Sequence, residues 1–299
     1  MARNLQSKLT PDDIVWLYDI NKAAAERLAA ETAEEQPHGA KAEVKETVQE
    51  AAQFADTIIS CLPEPEHVKS TYQSLIPVFQ SNTRKQPRLA IDCSTIDPAS
   101  SRAVADSFYK TLGKNNACFV DAPMSGGVVG ASAGTLTFML GAPDSIVPLT
   151  EPVLLRMGRR VLHCGPQGSG LAAKLANNYL LAIQNIAAAE AMNMGVKMGL
   201  QPKVLADVIN VSTGRCWATE VNNPVPDVVP TAPASRDYQG GFGIGLMRKD
   251  LRLAVQAANE EDAKLCLAQR AVEVYKEAES QERCKGRDFS VVYRWLAGE

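Results

Sequence analysis

The feature that most constrains this chain is the alternation of short, wholly apolar runs with helix-forming stretches across its first half. DIVWLYD (residues 13–19), DTIISCLP, RLAIDCST, ACFVDAP and RVLHCG recur at intervals filled mainly by helix-forming sequence. Runs that are apolar on both faces, with helices between them, build a largely parallel sheet covered on its two sides. GTLTFMLG (134–141) follows ACFVDAP too closely for a helical crossover, so this spacing predicts an antiparallel pair at one edge. Residues 31–45, with EEQPHGAK in the middle, read as a polar surface loop.

Past Gly165 the pattern changes. GLAAKLANNYLLAIQNIAAAEAMNMGVKMG is free of proline, rich in alanine and leucine, and predicts one long helix buried on more than one side. QPKVLADVINVSTG predicts another, with proline in its first turn. A proline-rich loop over residues 222–238 and two more helices, LMRKDLRLAVQAA and AKLCLAQRAVEVYKEAE, follow. The expected fold class is α/β: a doubly wound domain over residues 1–163, then an all-helical domain over 164–299. No internal repeat organises the chain.

Charge and composition exclude several functions. With 31 basic and 34 acidic residues the net charge is -3, which gives no electrostatic footprint for nucleic acid. No apolar run reaches the roughly 18 residues of a membrane span, and the start, MARNLQSKL, has no signal-peptide h-region. His38, His67 and His163 have no metal-ligand partner at a recognised spacing, so no zinc site is expected. Seven scattered cysteines, several inside apolar runs, read as buried thiols in a reducing compartment.

In an open α/β sheet, ligands bind beyond the carboxyl ends of the strands. Asp19 closes VWLYD. There a carboxylate accepts the ribose hydroxyls of NAD and repels the 2′-phosphate of NADP; the same residue equally suits the cap of the helix that follows. A dinucleotide site needs a glycine-rich turn about 20 residues before such an acid. Counting back from Asp19 reaches past Met1, and the first glycine is Gly39. The expectation is therefore that the first strand and glycine turn lie outside this polypeptide, and that MARNLQSKL is the remainder of the first crossover helix. SGGVVGASAG (125–134) and GPQGSG (165–170) have neither GxGxxG nor P-loop spacing. They read as tight turns whose amides can also hold an anion.

Lys174 lies in the first turns of the long helix, and Asn178 shares its face at i+4. Such a lysine is either a solvated flank or a group aimed into a cleft, where a partly desolvated amine can serve as general acid and base.

These residues sit within longer motifs. DAPMSGGVVGASAGTLTFMLGA, GSGLAAKLANNYL and GFGIGLMRKDLRLA together resemble the β-hydroxyacid dehydrogenase family. STGRCWATEVNNPVP, YQGGFGIGLMRKDL and KGRDFSVVYRWL resemble its branch acting on 3-hydroxyisobutyrate. The resemblance runs the length of the chain, with divergence around residues 31–45 and 226–236. MARNL resembles the end of the family's glycine-loop pattern.

The resemblance implies a Rossmann-like domain, lacking its first strand and glycine turn, followed by an all-α domain. It implies NAD-dependent oxidation of 3-hydroxyisobutyrate to methylmalonate semialdehyde in valine breakdown. Lys174 matches the catalytic lysine and Asn178 the substrate-holding asparagine. Ser125, Gly126 and Gly127 match the turn that anchors the substrate carboxylate. Asp19, Leu62, Pro63 and Thr95 match cofactor contacts, as do Phe242 and Lys249, although Lys249 equally suits a pair with Asp250. The partners implied are NAD, a small 3-hydroxy acid and further copies of the chain in a homo-oligomer, with neither nucleic acid nor membrane. The implied location is the mitochondrial matrix in a eukaryote and the cytoplasm otherwise. Two alternatives stand beside this reading: a chain impaired for want of the pyrophosphate loop, and a related NAD(P)-dependent 3-hydroxyacid dehydrogenase or semialdehyde reductase.

Overall fold

A computed structural model describes residues 1–35, 38–81, 87–113 and 117–298. They form two compact units, residues 1–174 and 175–299.

The first unit opens with α1 (Ala2–Lys8), β1 (Ile14–Leu17), α2 (Lys22–Glu35), β2 (Lys41–Val44) and α3 (Val48–Gln53). It continues through β3 (Thr57–Ser60), α4 (Pro65–Gln80), β4 (Arg88–Asp92), α5 (Pro98–Leu112) and β5 (Ala117–Asp121). It closes with β6 (Met124–Ser125), α6 (Gly127–Ala133), β7 (Leu136–Gly141), α7 (Val147–Leu155) and β8 (Gly158–Gly165). β3, β4 and β5 pair in parallel, whereas β5 and β6 both meet β7 antiparallel. β8 then lies along the other side of β7 in parallel, so β7 is interior and not at the edge its spacing suggested. The reason is α7, which carries the chain over far enough to add β8 in the same direction.

β4 and β5 are buried at every position. Their period of two divides them between two cores. Ala90 and Phe119 face Tyr72, Leu75, Phe79 and Phe108 of α4 and α5. Leu89, Ile91, Cys118 and Val120 face Leu136, Phe138, Leu140 and Leu154 on the other side. Helices on one face and the α7 side on the other make this a Rossmann-like layer arrangement, as the continuous apolar runs require. Edge-to-face rings fasten the first core: Tyr72 lies 4.8 Å from Phe119 and 5.5 Å from Phe108.

β1 and β2 form a separate two-stranded parallel sheet, with Ile14 opposite Lys41. The surface-loop expectation for residues 31–45 is corrected here. α2 runs on to Glu35, because its alanine- and glutamate-rich sequence holds no breaker before Pro37, and Lys41–Val44 is a strand. KAEV hides its strand character because its charged residues face outward from a short, half-covered sheet. Trp16 of β1 lies under the Lys45 ammonium, 4.0 Å from the ring centroid, and beside Phe54. Residues 36–37 of EEQPHGAK lie outside the described residues.

α8 (Ser169–Lys197) crosses from the first unit into the second. The sequence division after residue 163 and the observed one at 174/175 differ because the opening turn of α8 is bonded into the sheet. The second unit continues with α9 (Pro202–Val211), α10 (Trp217–Glu220), α11 (Ile244–Glu260), α12 (Ala268–Ser280) and α13 (Val292–Ala297). The proline-rich loop ends in a 3₁₀ turn, Pro233–Arg236. Ala182, Ala189 and Met192 of α8 pack with Tyr275, Phe289 and Val292 in one core. Asn185 is buried there and donates to the Tyr275 hydroxyl (3.0 Å) and the Phe289 carbonyl (3.1 Å). Among the described residues no helix is long and apolar enough to cross a membrane.

One close approach sets the geometry of the first unit. A Cβ on Gly170 would lie 2.1 Å from the Met139 carbonyl oxygen and 2.9 Å from Asp121 Oδ2. The start of α8 therefore rests on β7 backbone with no room for a methyl group. Gly170→Ala is expected to destabilise the first unit by about 2 kcal/mol, the scale of overpacking against an immobile neighbour. Its thermal unfolding midpoint, followed by circular dichroism, should fall; an unchanged midpoint would show that the contact is soft.

Candidate active site

The site is built from strand ends and helix starts. β5 ends on Asp121, which is fully buried. Its Oδ1 accepts the Gly168 N–H at 2.6 Å and its Oδ2 accepts the Leu171 N–H at 2.9 Å. Both donors belong to the opening of α8, where backbone N–H groups have no intrahelical partner and the helix dipole favours an anion. Gly141 makes room for the carboxyl, since a Cβ there would lie 2.3 Å from Asp121 Oδ1. Burial pushes the Asp121 carboxyl up to about 7, against the downward pull of the two N–H groups.

Lys174 follows Leu171 by three residues and is 8% exposed, so it is not a solvated flank. Asn178 is buried one turn further on. It donates from Nδ2 to Asp250 Oδ2 at 2.6 Å, and its Oδ1 accepts from Asn177 at 3.1 Å. One amide hydrogen and one lone pair of Asn178 are thus committed, which leaves one of each for a ligand.

Ser125 is half-buried at the end of β6, paired with Thr137. Gly126 has φ +133° and Gly127 φ +60°, backbone that side chains resist, and α6 starts on Gly127. A Cβ on Gly126 would lie 3.1 Å from Leu136 Cδ2, whereas one on Gly127 would meet nothing within 4 Å. A hydroxyl beside the backbone amides of two glycines is suited to a carboxylate.

The residues expected to touch the cofactor follow the carboxyl ends of β1, β3 and β4. Asp19 is exposed, and its Oδ1 accepts the Asn21 N–H at 2.7 Å in a tight Asx turn. The cap of α2 falls to Asn21, whose Oδ1 accepts from Ala24 N–H, so Asp19 is not itself the cap. Leu62 is half-buried against the α4–α5 core, Pro63 is exposed and Thr95 is half-buried. That all four stand at strand ends agrees with where an open sheet binds a dinucleotide. Beneath them Asp92 is fully buried, its Oδ1 accepting from the Ser60 hydroxyl (2.7 Å) and the Ser94 hydroxyl (2.6 Å). Burial raises its pKa, while these bonds lower it.

In the second unit, Phe242 donates its N–H to Asp288 Oδ2 at 2.7 Å, and its ring meets Phe289 edge-on at 6.1 Å. Asp288 also accepts from Asn222 and from the N–H and hydroxyl of Ser290. Lys249 Nζ lies 3.5 Å from Asp250 Oδ1. The pair anticipated between these two is present.

The sequence reading passed over Asp92, Asp121 and Asp288. For the first two a signal existed. Each closes an apolar run that becomes a strand buried at every position, and a buried carboxylate needs donors.

Comparison with known proteins places the chain. Residues 1–165 match the family model described as the NAD binding domain of 6-phosphogluconate dehydrogenase. Residues 168–296 match that described as NAD-binding of NADP-dependent 3-hydroxyisobutyrate dehydrogenase. The mitochondrial 3-hydroxyisobutyrate dehydrogenase of Homo sapiens is 39% identical over 299 residues, covering 100% of this chain and 83% of its own. The probable mitochondrial enzyme of Dictyostelium discoideum is 44% identical over 255 residues, covering 85% and 77%. Among solved structures, the Mycobacterium tuberculosis 3-hydroxyisobutyrate dehydrogenase with L-serine superposes with a TM-score of 0.81 at 35% identity. That match covers 96% of this chain and 99% of the other.

The Asp121 carboxyl titrates near neutrality in the fold, far above its ordinary 3.8. Between those values the folded chain holds a proton that the unfolded chain has released. The Asp121 contribution to stability is therefore full below about pH 4 and is lost as pH rises through 7. Urea unfolding of the parent and Asp121→Asn across pH 4–8 should show a shallower decline in the variant. Parallel declines would remove Asp121 as the titrating group.

Proposed function

The chain belongs to the 3-hydroxyisobutyrate dehydrogenase family of NAD-dependent oxidoreductases, and from that premise we propose that it oxidises 3-hydroxyisobutyrate to methylmalonate semialdehyde in valine breakdown. The observation that carries the reading is Lys174, a buried amine one turn beyond the Asp121 clamp at the start of α8. NAD, when bound, would supply the acceptor for the hydride of the carbinol carbon. Lys174 Nζ, as a neutral amine, takes the hydroxyl proton as the carbonyl forms and returns it in the reverse direction. The Ser125 hydroxyl and the amides of Gly126 and Gly127 hold the carboxylate, and the uncommitted half of the Asn178 amide holds the substrate oxygen. Asp19, Leu62, Pro63 and Thr95 hold the cofactor, with Phe242 and Lys249 as further contacts. The Asp19 carboxylate selects NAD over NADP.

Lys174→Ala should lower kcat by about 10²- to 10⁴-fold, the usual range for a positioned general base, while NAD affinity measured calorimetrically changes little. Near-normal turnover in that variant sinks the assignment.

A second reading, in which the 299-residue chain holds NAD weakly, is favoured by the sheet. β1 and β3 belong to different sheets among the described residues, which leaves the β1–β2 pair unjoined to the sheet that carries Leu62 and Thr95. Titration of NAD separates the two. Micromolar binding supports the enzyme; no binding at millimolar NAD supports the second reading.

A further inference from the structure

We infer that Asp92 and Ser94 are positioning residues for the cofactor-side loops: a buried carboxylate, acting through one hydroxyl, fixes the backbone of Leu62. The inference rests on the NAD-dependent reading above and adds two residues to it.

Register comes first. Ser60 of β3 pairs with Asp92 of β4, so the two loops that follow, one carrying Leu62 and the other Thr95, leave the sheet side by side. Asp92 falls on the same face as Ala90 by the period of two, towards the α4–α5 core, and is 0% exposed. A carboxylate there needs donors. Oδ1 receives three: the Ser60 hydroxyl at 2.7 Å, the Ser94 hydroxyl at 2.6 Å and the Ser94 N–H at 3.2 Å.

Proton counting then sets every direction. Ser94 has one hydroxyl proton, and Asp92 takes it. Its oxygen is left as an acceptor only, and the donor it meets is the Leu62 N–H at 2.8 Å. Without the carboxylate, the Ser94 hydroxyl is free to rotate its proton towards Leu62 and set donor against donor. Ser60 is fixed likewise, so Tyr72, 2.7 Å away, donates to it. That second arm runs back into the core and away from Leu62.

Asp92 therefore joins the ends of β3 and β4 at one oxygen, and Ser94 passes that constraint on to Leu62. An ordinary structural carboxylate would satisfy the strand ends alone. This one reaches past them into the loop assigned to the cofactor.

The test uses the whole chain. Ser94→Ala removes the acceptor and leaves the Leu62 N–H unpaired. NAD affinity should weaken about tenfold, on the scale of a polar group left unsatisfied, while kcat and KM for 3-hydroxyisobutyrate at saturating NAD stay within about twofold. Asp92→Leu should show the same split, and Leu62 amide exchange should quicken in both variants. Tyr72→Phe, which leaves the Ser94 arm intact, should keep NAD affinity within about twofold. Unchanged NAD affinity in Ser94→Ala overturns the inference. So does a proportionate loss of NAD and substrate binding together, or an equal loss in Tyr72→Phe, because each signals general loosening. A parent chain that binds no NAD overturns the functional reading itself, and the inference with it.

Discussion

The Asp121 carboxylate, held between two backbone N–H groups at the start of α8, is the constraint on which the rest of the first unit depends. It closes β5, receives Gly168 and Leu171 on separate oxygens, and is admitted only because Gly141 and Gly170 withdraw from its surroundings. These contacts set the angle and depth at which α8 leaves the sheet. One turn later the helix delivers Lys174. The position of the amine to which proton transfer is assigned is therefore set in part by hydrogen-bond geometry at the end of the sheet.

The same device recurs in both units. Asp92, Asp121, Asp250 and Asp288 are all buried: Asp92 bonds Ser94 beside Thr95, Asp121 bonds the start of the helix that carries Lys174, and Asp250 and Asp288 bond Asn178 and Phe242 themselves. The donors include backbone N–H groups, hydroxyls and amides, and Lys249 adds a cation beside Asp250. Such donors are directional and of fixed length, whereas an ion pair tolerates sliding. A scaffold anchored this way costs desolvation energy but holds its loops to within the precision that oriented chemistry demands.

Much of this architecture was legible in the sequence. The apolar runs marked β1, β3, β4, β5, β7 and β8, most plainly β4 and β5, which are buried at every position, and the alanine-rich stretch marked α8. β2 escaped because its four residues alternate charge with small apolar groups on a half-covered sheet, so no run existed to be seen. The division between units escaped for a different reason. It depends on Asp121 reaching a helix 47 residues downstream, and no local pattern encodes a contact at that separation. In the candidate site, Lys174 and Asn178 stood out as polar residues sharing one face of an apolar helix, whereas the glycine turn drew its assignment from the resemblance alone. The buried aspartates stood out less, since their partners are backbone groups, which every sequence supplies equally.

Trp16 carries a consequence of another kind. Of the chain's three tryptophans it alone lies in residues 1–174, beneath the Lys45 ammonium and beside Phe54 on the strand that leads to Asp19. A cation over an indole ring perturbs the excited state of that ring. The first unit thus possesses its own optical reporter, placed three residues before the acid assigned to the ribose; with Trp217 and Trp295 replaced by phenylalanine, the chain's emission would come from that strand end alone.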